Sequence, residues 1–147
     1  MLENYSMEEV RSLAGHEVVD VKGEPFGYVD LVFHDEPTGR PEWIGIWSGV
    51  PGKGHRVLVP IRGIEHVEDE IRVPWTKDVV MSAPTYSDED GRGLVGEGSD
   101  VIEISPEKER AAYEHYGVEP LTARPEGMAG PRFRAVVIEV RTIRQQG

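Results

Sequence analysis

LAGHEVVDVKGEPFGYVDLVFHDEPTGRPEWIGIWSG, residues 13–49, runs into HRVLVPI at 55–61 and DEIRVPWTKDVVMSAP at 69–84. Short apolar runs that alternate with polar residues are broken by Gly, Pro and Asp at intervals of roughly ten residues, the spacing of a small antiparallel barrel. GHEVVDV predicts a first strand, KGEP a turn, and FGYVDLVFH the second arm of a hairpin. In EWIGIWSG, Trp43, Gly45 and Trp47 share one face of a strand and Ile44 and Ile46 the other, so both faces look covered. HRVLVPI gives a fourth strand with Val57, Val59 and Ile61 inward, and Pro60 marks an edge or a bulge. IEHVE and EIRVP follow as two short strands. Thr76 then starts a helical turn or two that ends by Pro84.

Outward from this stretch the signals are sparser. Ser6 with Glu9 three residues on is a capping box, and Gly15 supplies a left-handed stop, predicting a helix from Met7 to Ala14. TYSDEDGRGLVGEGSD is acidic and Gly-rich, so residues 85–104 read as an exposed linker. Ser105 as cap, Pro106 at the first helical position and Gly117 as stop define a helix over 105–117 whose sticky stripe is Ala112, Tyr113 and Tyr116. After a second linker, FRAVVIEVRTI predicts a strand over about 132–144 with Val136, Ile138 and Val140 on one face. A lone strand is unstable, so it must pair with the barrel, with another copy or with a partner. The organisation is therefore a domain at 1–84, a linker at 85–104 and an extension at 105–147.

Composition removes whole classes of function. The 147 residues contain no cysteine, which excludes disulfides, thiolate catalysis and Cys-based metal sites and suits a reducing cytoplasm. No run of eighteen apolar residues and no basic-then-apolar leader occurs, so neither membrane insertion nor export is expected. Net charge is -11; residues 121–147 hold five Arg against Glu126 and Glu139, or +3, leaving -14 on residues 1–120. An acidic body repels phosphate backbones, which argues against general nucleic-acid binding.

Motifs of chemistry fail on inspection. GRGLVG at 91–96 has the dinucleotide-site glycine spacing but sits between SDED and EGSD, with neither a strand before it nor a helix after it. GKG at 52–54 lacks the flanking residues of a P-loop, and DED at 88–90 lacks the offsets of a calcium loop. His16, His34, His55, His66 and His115 never fall at a metal-ligand spacing, and Ser48 lacks a nucleophile-elbow context. No catalytic, cofactor or metal residue is therefore assigned. Trp75, beside Pro74, reads as a lid on the core.

Taken as an ordered series, LAGHEVVDVKGEPFGYVDLVFHDEPTGRPEWI, the Gly-bearing strand after it, VLVPI and IRVPWTKDVVMSAP resemble a PRC-barrel domain, the small β-barrel of the photosynthetic reaction-centre H subunit and of ribosome-maturation factors. The helix SPEKERAAYEHYG resembles one beyond the barrel in stand-alone bacterial members. The resemblance implies a mainly β chain, a small antiparallel PRC-type barrel with short flanking helices and a C-terminal helix and strand. It also implies an assembly or docking role without shared catalytic residues. The reaction-centre membrane anchor and the partner domain of the maturation factors have no counterpart in these residues.

Three functional readings follow. The first is a cytoplasmic, non-catalytic interaction module that pairs with itself, as a homodimer, or with another protein. Its contact residues would be Trp43, Ile44, Ile46, Trp47, Tyr113, Tyr116, Val136, Ile138 and Val140. The second is an enzyme or small-ligand binder using His34, Asp35, His55 and Arg56 at the barrel mouth. The third is an RNA-processing accessory that acts through ribosomal protein contacts.

Overall fold

The computed structural model describes residues 2–49, 55–85, 101–121, 124–128 and 130–136. The expected N-terminal helix is present as α1, Met7–Arg11, with both halves of the capping box made: the Ser6 hydroxyl accepts from Glu9 N–H at 3.2 Å and the Glu9 carboxylate from Ser6 N–H at 2.9 Å. It is shorter than the predicted Met7–Ala14 because the chain tightens after Arg11: Leu13, Ala14 and His16 bond three residues back, to the carbonyls of Val10, Arg11 and Leu13. Gly15 then reverses direction at φ +89°.

Strands β1 (Glu17–Val19), β2 (Pro25–Asp35), β3 (Pro41–Ser48) and β4 (His55–Pro60) form an antiparallel meander. β1 stops at Asp20, whose carboxylate collects the N–H groups of Lys22, Glu24 and Lys77, each at 2.9 Å. The short hairpin of β5 (Glu65–Val67) and β6 (Glu70–Arg72) lies beside β1. α2, Lys77–Met81, begins where Thr76 caps it.

The chain is mainly β, but two features of the expected barrel are corrected. β1 and β6 pair in parallel, so the sheet is mixed. Its hydrogen-bonded order, β4-β3-β2-β1-β6-β5, leaves β4 and β5 unpaired with each other, so the sheet is not a closed cylinder. The free edge of β4 is taken by the segment after α2 instead: Leu58 N–H donates to Pro84 O, and Val57 bridges Thr85.

The C-terminal residues fold back on this sheet. The stretch expected as a linker over 85–104 yields its last four residues to β7, Val101–Ile104, because β8, Phe133–Val136, offers it an antiparallel mate. β8 in turn pairs with the end of β2, Arg134 opposite His34 and Phe133 opposite Asp35, so the described part of the tail strand pairs within its own chain. Between β7 and β8 runs α3, Pro106–Tyr116, capped by Ser105 and closed by Gly117 at φ +66° as its sequence predicts.

The core follows the cross-strand rows. Val29–Ile46–Val57, Val32–Ile44–Val59 and Phe33–Trp43–Pro60 lie opposite one another across β2, β3 and β4, and all are buried. Along β3 every residue but Trp47 is buried, as expected of a strand covered on both faces. Each large side chain removed from water in this way contributes about 1.5–3 kcal/mol.

Candidate interaction site

Strand alternation puts Trp43, Gly45 and Trp47 on one face of β3, and among the described residues that face is covered at one end only. Over Trp43 lies the C-terminal arm: the Tyr113 ring is 4.7 Å away and the Phe133 ring 6.1 Å. Tyr116 donates its hydroxyl to the Leu58 carbonyl at 2.5 Å and meets Trp75 at 4.6 Å, which makes Trp75 the lid its sequence position suggested. Burial pushes the hydroxyls of both tyrosines above their ordinary range, and for Tyr113 the Glu42 carboxylate adds to it.

Three charged groups are enclosed under this arm. Arg132 donates from Nε to Asp35 Oδ1 at 2.6 Å and from Nη2 to Oδ2 at 3.2 Å, with neither side chain more than 1% exposed. Glu42, 4% exposed, accepts from the Tyr113 hydroxyl at 2.5 Å and from Leu121 N–H at 3.1 Å. Burial raises the Glu42 pKa, and the two hydrogen bonds with the Arg132 charge only partly oppose it. A cleft of about 620 Å³ lies between α3 and the segment after it, and two of its charged lining residues, Glu109 and Arg124, pair with each other at 2.9 and 3.1 Å.

At its other end the face is open among the described residues. Arg56, Trp47, Tyr28, Glu17 and Glu70 stand in one row across β4, β3, β2, β1 and β6, each directly opposite the next. The Arg56 guanidinium lies 4.9 Å from the centre of the Trp47 ring, and its Nε is 4.0 Å from Asp30. Tyr28 is 41% exposed, Trp47 is half-buried and Glu17 is exposed. The row is thus cationic at one end, aromatic in the middle and anionic at the other.

The residues proposed from sequence as contacts are divided by this arrangement. Trp43, Ile44 and Ile46 are 0–1% exposed and serve the core. Tyr113 and Tyr116 clamp the arm onto the sheet, and among the members of the set whose side chains are described only Trp47 stands at the open end. Val136 pairs its backbone with Val101, while Ile138 and Val140 lie outside the described residues, as do the motifs at 52–54, 88–90 and 91–96. His34, Asp35, His55 and Arg56 are not one group. His34 is opposite Pro41 and Arg56 opposite Trp47, so the two ends of the set are about 20 Å apart along β3. Asp35 is consumed by Arg132. Among the described residues no cluster of three or more His, Asp or Glu is placed to hold a metal ion. Sequence reasoning missed Tyr28, Glu17 and Glu70, because nothing local gives the register that sets them beside Trp47.

A family model described as PRC-barrel domain matches residues 6–80, just over half of the chain. The chain belongs to the PRC-barrel family. The match runs from the α1 cap to α2, so every member of the Arg56–Glu70 row lies inside the PRC-barrel domain, whereas β7, α3 and β8 lie beyond it. No curated protein matches the chain. No helix among the described residues is long and apolar enough to cross a membrane.

Proposed function

We propose that this PRC-barrel protein is a non-catalytic docking module whose partner is a second copy of itself. The observation that carries this reading is the open end of the sheet, where an exposed Tyr28 adjoins Trp47 under the Arg56 guanidinium. Tyr, Trp and Arg are the residues most enriched at the energetic centres of interfaces, since each offers large contact area with a polar handle. The C-terminal arm supports the same reading from the other side: it covers the Trp43 end and leaves the Trp47 end uncovered among the described residues. Freedom from cysteine suits the cytoplasm, where we place the protein.

Sedimentation velocity of the full chain over a wide concentration range tests the proposal. A concentration-dependent shift from monomer to dimer is the expected result. A monomer at every concentration overturns it.

A further inference from the structure

The row of side chains across the sheet has a polarity, and that polarity is self-complementary. It begins with Arg56 on β4, passes through Trp47 and Tyr28, and ends with Glu17 and Glu70 on β1 and β6. With neighbouring strands about 4.8 Å apart, Arg56 and Glu17 stand roughly 14 Å from each other on the same face, too far for contact within one chain. Glu17 and Glu70 sit directly opposite across a parallel pair, a like-charge juxtaposition that disfavours the isolated sheet and is relieved by an incoming cation.

We infer that two copies pack face to face about a two-fold axis passing between Trp47 and Tyr28, which sets Arg56 of each copy against Glu17 of the other. The inference rests on the self-association proposed above and adds its surface and symmetry. That two-fold maps the stretch of the row from Arg56 to Glu17 onto itself reversed, so Trp47 of one copy meets Tyr28 of the other and the cationic end meets Glu17 twice. Charge complementarity selects a second copy over an unrelated partner: the four residues Arg56, Trp47, Tyr28 and Glu17 supply both halves of the contact, in the order a two-fold requires, with Glu70 beyond them beside Glu17. Arg56 also contacts Asp30, Nε to carboxylate at 4.0 Å with both side chains partly exposed, while its guanidinium lies over Trp47.

Charge reversal in separate chains tests this pairing. Arg56→Glu alone and Glu17→Arg alone each create two like-charge contacts per dimer and are expected to raise the dimer dissociation constant about tenfold or more. In a mixture of the two variants, the carboxylate introduced by Arg56→Glu faces the guanidinium introduced by Glu17→Arg, and the second contact is the native Arg56 against the native Glu17. A heterodimer of near wild-type affinity is therefore expected, and circular dichroism checks that each variant is folded. Single variants that dimerise like wild type, or a mixture that stays monomeric, overturn the pairing while wild-type self-association stands. A monomeric wild type overturns the underlying function instead.

Discussion

Arg132 and Asp35, 97 residues apart, form a bidentate ion pair with both side chains removed from water. The pair fastens the segment entering β8 to the end of β2, and Asp35 also accepts from the Thr38 hydroxyl at 3.0 Å, so one carboxylate organises both the β2–β3 turn and the C-terminal arm. Burial disfavours the Arg132 charge, and the Asp35 carboxylate more than offsets it.

Removing one partner leaves the other charged and dry. Arg132→Ala is expected to cost about 3–5 kcal/mol of stability, and the double variant Arg132→Met, Asp35→Leu to recover much of the loss. Urea unfolding of the two variants checks this; equal losses in both place the energy in packing rather than in the abandoned charge.

Gly27 faces the β3 backbone. A Cβ at this position would stand 2.4 Å from the Trp47 carbonyl oxygen and 3.0 Å from the Ile46 side chain, and the first of these is backbone that cannot rotate aside. Gly27→Ala is expected to destabilise by about 1–3 kcal/mol, read as a lowered midpoint in urea, and to shift Trp47 enough to change the fluorescence of the native state.

Glu42 has its pKa raised by burial, so the folded protein holds a proton there that the unfolded chain releases. Its contribution to stability therefore falls as pH rises from the ordinary value of 4.5 towards the raised one. Glu42→Gln keeps an acceptor for Tyr113 and Leu121 without the charge. Relative to wild type it is expected to gain stability as pH rises through that window, whereas Tyr113→Phe is expected to lose about 1.5–3 kcal/mol at neutral pH. Unfolding midpoints from acid to neutral pH decide; a pH-independent difference between wild type and Glu42→Gln refutes the assignment.

Asp20 behaves in the opposite sense. Burial raises its pKa, but the N–H groups of Glu24, Lys77 and Lys22 more than reverse this and leave it below 3.8. Its contribution is present above the ordinary carboxylate value and lost as pH falls through the lower folded value. Asp20→Asn is expected to be less stable at neutral pH and to lose less on acidification, measured by the same unfolding series.

What was legible in advance was local. The Ser6–Glu9 box, the Thr76 cap and the Ser105, Pro106 and Gly117 signals each act within a few residues, and each marks a helix end found in the fold. Apolar alternation likewise placed β2, β3 and β4. It did not separate a core tryptophan from a surface one: Trp43 and Trp47 occupy equivalent places in EWIGIW, and only the arm lying over Trp43 distinguishes them. The parallel β1–β6 pair and the Arg132–Asp35 contact were equally silent, since each depends on a partner far along the chain.

The order of side chains by itself determined that this protein is mainly β, where α1, α2 and α3 begin, and which family it belongs to, because capping, turn chemistry and period-two patterning are short-range effects. Tertiary structure alone decided that the sheet stays open, with Pro84 and Thr85 along β4, and that Arg56, Trp47, Tyr28, Glu17 and Glu70 fall into one row. Register is a relation between strands. A shift of one residue would have sent Tyr28 to the opposite face, and no single strand carries that information.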